Sequence, residues 1–168
     1  AETDTNPLRW NVPVIGQILG HAPASTIVEN GKGQLTLPGC GTLLINAGQS
    51  GYYRTLYQPD QIAALKADFA KLDAIDQVGL VTDTRSLADG EYQELAPALD
   101  LLNAVPANAS QRVLETAAGS FAGLYDLFRD DAAAQAKLAS IADSRFAPAL
   151  KNLGFAQQQG ESTVDSNL

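Results

Sequence analysis

The sequence predicts an α+β protein in two segments: an antiparallel β-sandwich-like unit over residues 1–58, followed by an all-α antiparallel helical array over residues 59–168. Three observations predict it. The apolar period is about two residues before position 58 and about 3.6 after it. Glycine and proline punctuate the first sixty residues at short intervals, as turns between short strands do. The run from Thr42 to Ile62 reads as strand, turn, strand and helix start, with no flexible linker between sheet and helices.

Residues 1–6 are small and polar and read as a loose lead-in, so structure is expected from Leu8. Leu8 to Val14 alternates apolar and polar residues. Pro13 cannot donate to a central ladder, which places this strand at an edge or ends it there. Thr26-Ile27-Val28 and Gln34 to Leu37 are the next strands, separated by the turn formers Glu29 to Gly33 and followed by Pro38-Gly39-Cys40-Gly41. A hairpin then joins Thr42 to Asn46 with Gly51 to Tyr57 through Ala47-Gly48-Gln49-Ser50. In its second run Tyr52, Arg54 and Leu56 share one face, and Tyr53, Thr55 and Tyr57 the other. The total is about five short strands.

Pro59 suits the first turn of a helix, where its missing N–H costs nothing, and Asp60 complements the positive end of the helix dipole. Ile62, Leu65, Phe69 and Leu72 form the first apolar stripe; Ile75, Val78, Val81 and Leu87 the second; Leu95, Leu99, Leu102 and Val105 the third. Asn108 or Ser110 can cap a fourth helix whose face is Val113, Ala117, Phe121, Leu124 and Phe128. Leu138, Ile141 and Leu150 mark a fifth, which Pro148 is expected to kink or split. Short loops predict antiparallel stacking. No fixed repeat length stands out, and residues 157–168 read as a polar, frayed end.

A net charge of −8 and a pI near 4.4, with eleven scattered Lys and Arg, argue against a nucleic-acid partner. Leu99 to Val105, interrupted by Asp100 and Asn103, falls far short of the ~20 residues that span a bilayer. The first residue is not methionine and no hydrophobic segment stands before Ala1, so a removed leader or an excised piece of a longer protein is the expectation.

Candidate chemistry is sparse. Cys40 is the only cysteine and His21 the only histidine, and no feature of the sequence brings them together. Asp73 with Asp76, and Asp130 with Asp131, could pair as acid and base, but acids at helix ends are usually solvated dipole partners. Gly119 and Gly123 read as close helix packing. Gly31-x-Gly33 and Gly39-x-Gly41 lack the following helix a phosphate loop needs. Arg54 is expected to anchor the hairpin through backbone oxygens or an acid, with binding of a substrate carboxylate the lesser reading. No residue is assigned to catalysis, to a cofactor or to a metal.

Four segments carry a family resemblance. Leu44-Ile45-Asn46 through Gly51-Tyr52-Tyr53-Arg54 to Tyr57 is similar to the signature that closes the small β-domain of zinc aminopeptidases of the aminopeptidase N type. Trp10-Asn11-Val12-Pro13 resembles the Trp-x-x-Pro strand of that domain. Asp76 to Asp83 with Leu87, Ala88 and Gly90 resembles its first helix pair, and Leu153-Gly154-Phe155 with Gly160-Glu161-Ser162 a later inter-helix segment. Gln77, where the family commonly shows arginine, and Asn108-Ala109, where a glutamate-bearing helix entry is common, depart from the pattern. The resemblance implies the end of a β-domain and the first helices of a HEAT-like C-terminal array. It implies a parent enzyme that removes amino-terminal residues from peptides, with the array enclosing the peptide chamber. Its partners would be the catalytic domain of the same polypeptide and the peptide substrate.

The resemblance also implies zinc in the parent's catalytic domain. The ligand motif His-Glu-x-x-His cannot be built from one histidine, and the Gly-x-Met-Glu-Asn segment cannot exist in a chain without methionine. The alternative reading is a self-standing binding or scaffold protein whose helices dock a partner. For an excised piece, bare edges predict self-association.

Overall fold

The computed structural model describes residues 10–153. The lead-in, the start at Leu8, the segments from Gly154 onward and the polar end lie outside the described residues. Three strands, β1 (Val12–Ile18), β2 (Ala24–Val28) and β3 (Leu43–Ile45), form one antiparallel sheet in the order β2-β1-β3. Five helices follow: α1 (Pro59–Ala67), α2 (Ala74–Asp89), α3 (Ala96–Ala104), α4 (Gln111–Leu127) and α5 (Ala132–Leu153).

The strand expectations need three corrections. β1 is the central strand and carries Pro13 within it. Asn46 donates its N–H to Ile15 O at 2.7 Å, so the odd-numbered groups of β1 face β3. Pro13 has the same parity, and β3 pairs only with residues 16–18, so the missing N–H falls where no strand reaches. Secondly, Gln34 to Leu37 is not a strand. The turn Glu29-Asn30-Gly31-Lys32 closes with both Glu29 and Lys32 backbone bonds, at 2.9 and 3.0 Å, and the ladder stops there. The chain then crosses the sheet face at Gly16, where a Cβ would lie 2.5 Å from Leu35 Cδ2; leucines that cover a face cannot also extend its edge. Thirdly, the hairpin is half formed. Residues 51–57 keep the expected alternation, Tyr53, Thr55 and Tyr57 half-buried and Tyr52, Arg54 and Leu56 exposed, but pair with no strand.

The helices match their stripes more closely. Gln58 and Gln61 close a capping box around Pro59, and the first stripe divides between α1 and a 3₁₀ turn at Phe69–Lys71. α2 departs from its apolar stripe: Ile75 is half exposed, whereas Asp76, Gln77 and Thr84 are buried with Leu80 and Val81. Ser110, not Asn108, stands at the N-cap of α4. α5 runs as one helix through Pro148. Asp131 Oδ1 accepts the N–H groups of Ala133 and Ala134 at 3.1 and 3.0 Å at its start.

One apolar core runs from the sheet into the helices. Leu44 of β3 meets Leu65, Phe69 and Leu72, and the cluster continues through Leu80, Leu101, Leu102, Val113, Phe121 and Leu124. Consecutive helices α2–α3 and α4–α5 pack together, and so do α1–α3 and α2–α4. Phe121 meets Phe146 edge to face at 5.8 Å. Arg145 of α5 donates to Val105 O at 2.8 Å and to Asn103 O, closing the carbonyl end of α3. Leu65, Leu101 and Leu124 are fully buried, and each such burial stabilises by about 1.5–3 kcal/mol.

Candidate functional site

Polar groups concentrate where the sheet meets α2. Asn46 ends β3 in the left-handed region (φ 61°, ψ 35°) and is 2% exposed. Its side chain acts as a peptide mimic: Oδ1 accepts the Gly51 N–H at 2.8 Å, and Nδ2 donates to Gly51 O at 3.1 Å and to Gln49 Oε1 at 3.3 Å. The 46–51 loop is thereby closed on itself.

That loop then binds α2. Gly48 donates its N–H to Asp76 Oδ1 at 2.8 Å. Burial raises the Asp76 carboxyl above the usual range, and the bonds from Gly48 and Gln49 partly offset this. One turn on, a Cβ at Gly79 would stand 2.0 Å from the Gln49 side chain, so a hydrogen at this position is what admits the loop.

The next residues run along the same helix. Thr55 donates its N–H to Asp83 Oδ2 at 3.2 Å. Burial raises Asp83 also, against the Thr55 N–H and the Arg54 charge. The Tyr57 hydroxyl accepts the Ile45 N–H at 2.9 Å and donates to Ile45 O at 3.2 Å. It stands in for the ladder partner that β3 lacks on its outer side. Burial pushes this phenol up to about 12. Gln77, at the position where arginine was expected, is buried and donates to Phe69 O and Leu72 O at 3.0 and 3.1 Å, holding the 3₁₀ turn.

A cleft of about 520 Å³ opens beside this junction, with Thr42, Asp68, Lys71, Asp73 and Asp76 on its walls. Two of its three acids are engaged, Asp76 by Gly48 and Asp68 within the cleft. Asp68 accepts from Lys71 Nζ and Thr42 Oγ1, both at 2.6 Å, and Lys71 first and Thr42 second hold its carboxyl below the usual range. Asp73 begins α2 without a side-chain cap bond. Among the described residues no three His, Cys, Asp or Glu side chains come together as a metal site, and with one histidine the donor set does not fit a catalytic zinc. The bonds at this junction fix its geometry.

The other sequence candidates are dispersed. His21 packs its ring over Gly39, one residue from Cys40, yet the thiol is exposed and makes no hydrogen bond to the imidazole. Asp131 is a helix cap, and Asp130 is fully exposed beside Arg129 at 4.0 Å. Gly123 lies under the Arg85 guanidinium, which donates to Ser120 O at 3.2 Å, whereas Gly119 faces open space, so the close-packing expectation fails there. Asn46 and Asp83 stand in segments that carry the resemblance, with no role read from sequence; the bond Asp83 makes to Thr55 depends on α2 lying alongside.

Arg54 does pair with an acid, Asp83, but from the exposed face and not a packed one. Its guanidinium is 4.0 Å from Asp83 and its side chain is 57% exposed, because the buried face of residues 51–57 is the Tyr53-Thr55-Tyr57 face. Arg54→Ala should therefore cost less than about 1 kcal/mol. Thermal unfolding of the variant is expected within about 3 °C of the parent chain; a much larger drop would require a bonded guanidinium.

Comparison with known proteins gives a consistent set. The ERAP1-like C-terminal domain family matches residues 42–168. The chain is similar to aminopeptidase N of Lactococcus lactis subsp. lactis, 27% identical over 133 residues, covering 79% of this chain and 16% of that protein. It is 31% identical over 129 residues to aminopeptidase M1-B of Oryza sativa subsp. japonica, covering 74% of this chain and 14% of that one. It is also 31% identical over 150 residues to aminopeptidase 2 of Candida albicans, covering 86% and 16%. The chain thus spans about a sixth of the length of the curated relatives it matches.

Proposed function

The chain belongs to the ERAP1-like C-terminal domain family, and on that premise we propose that it is a non-catalytic part of a zinc aminopeptidase that removes amino-terminal residues from peptides. The observation that carries this is the extent of the match. It begins at Thr42, at the edge of β3, and continues through every helix described, while the similar aminopeptidases are about five times as long as this chain. On this reading residues 1–58 end a β-sandwich domain and residues 59–168 open a HEAT-like helical domain. The zinc and its ligands belong to a catalytic domain of the same polypeptide, and the helices help to enclose the peptide chamber.

The junction supplies the physical means. Asp76 and Asp83 on one helix bind two consecutive stretches of the chain leaving the sheet, and Leu44 shares the helical core. On this reading the two carboxylate–amide bonds hold sheet and helices at a fixed angle. An array held at a fixed angle is what a chamber wall requires.

The purified chain is expected to hold no stoichiometric zinc and to leave aminoacyl anilides intact. One tightly held zinc per chain, with hydrolysis abolished by a chelator, would overturn the fragment reading. In the complete polypeptide, Asp76→Ala should raise KM for peptides long enough to fill the chamber while leaving kcat for aminoacyl anilides unchanged. An unchanged KM for long peptides would remove the chamber role.

A further inference from the structure

We infer that the joint between the sheet and α2 is a pH-responsive clamp, in which Asp76 and Asp83 take up protons as the surroundings turn mildly acidic and the joint becomes harder to open. The placement of the two carboxyls carries it. They stand two turns apart on α2, and each holds a backbone amide of the chain leaving the sheet, Gly48 at 2.8 Å and Thr55 at 3.2 Å. Asp76 is 4% exposed and forms no ion pair among the described residues, while Asp83 has only the exposed Arg54 at 4.0 Å. The groups around them leave that imbalance in place. Asp73, one turn before Asp76, adds a like charge, and Lys71 across the cleft is bonded to Asp68. Tyr53 and Tyr57 stand near Asp83, and Tyr57 near Asp76, as phenols that stay neutral below pH 10.0. Among the described residues α3 and α4, packed on the same helix, bring no ion pair to either acid; Asp100 of α3 pairs with Lys66 of α1.

A carboxylate enclosed without a cation is stabilised by binding a proton. Burial accordingly raises both carboxyls above 3.8, against the bonds from Gly48 and Gln49 at Asp76 and from Thr55 at Asp83. The folded chain then holds protons that the unfolded chain releases. The resulting stability is fully present below pH 3.8 and is lost as pH rises through the folded-state values. Asp68, held below the usual range by Lys71 and Thr42, works in the opposite sense, but only below pH 3.8. The two amide bonds survive protonation, because a protonated carboxyl keeps an acceptor oxygen.

Residue-resolved hydrogen exchange of the chain between pH 7 and pH 4.5, corrected for the intrinsic pH dependence of exchange, tests it. Protection of the Gly48 and Thr55 amides should rise severalfold on acidification, and the denaturation midpoint should move up with it. In the Asp76→Asn/Asp83→Asn chain the rise should be lost, since asparagine keeps the acceptor oxygen and carries no charge. The carboxyl carbon resonances of Asp76 and Asp83 in the parent chain should titrate above 3.8, a readout that needs no variant to fold. Protection that stays flat or falls toward pH 4.5, a rise that persists in the double variant, or carboxyls that titrate at or below 3.8 would each overturn the inference.

Discussion

Asn46→Ala is expected to lower stability by about 3 kcal/mol or more, and thereby the unfolding temperature by roughly 6–12 °C. Two costs combine. Alanine in the left-handed region at φ 61° is strained by about 1–2 kcal/mol. Truncation also strands the Gly51 N–H and C=O inside the junction, at about 1–3 kcal/mol for an unpaired buried group. Asn46→Gly separates the two, since glycine relieves the backbone strain and restores no bond. Its unfolding temperature should fall between those of Asn46→Ala and the parent. If the glycine variant equals the parent, the side-chain bonds contribute nothing and the loop is held by Gly48 and Asp76 alone.

Tyr57→Phe should cost about 1–3 kcal/mol at neutral pH, because the Ile45 N–H and C=O both lose their partner. The pH dependence identifies the cause. The folded-state phenol ionises at about 12 against a reference of 10.0, so the folded chain keeps a proton that the unfolded chain releases. Its contribution is fully present below pH 10 and is lost as pH rises through 12. Two units correspond to about 3 kcal/mol. The phenylalanine variant has no such group, so the advantage of the parent chain should close between pH 10 and 12. Chemical denaturation at pH 8, 10 and 12 measures it; a difference constant across that range would mean that the hydroxyl is not buried against Ile45.

The helical half was legible because each stripe reports its own burial. Val113, Ala117, Phe121 and Leu124 recur at helical spacing, and all four are buried. Exceptions are α2, where Asp76, Gln77 and Thr84 face inward and Ile75 outward, and α5, where Leu150 is exposed. Hydrophobic periodicity cannot register a polar side chain whose partner is a backbone group far along the chain. The division of residues 51–57 into two faces was also legible, but not which face is covered. The covered face is the one whose Tyr57 hydroxyl bonds the Ile45 backbone.

The sequence by itself determined the switch from strands to helices near Pro59, the start of α1 and the stripes of α1 and α4, because each follows from local periodicity or capping. Only the tertiary structure decided that β1 is central, that Gln34 to Leu37 lies across the sheet, that Arg54 faces solvent, and that Asn46, Gln49, Asp76, Tyr57 and Asp83 together join sheet to helix. Those outcomes depend on which surface is nearest when the chain folds back. A main-chain group bonds the partner that packing brings within about 3 Å, and nothing in its own neighbourhood of sequence names that partner.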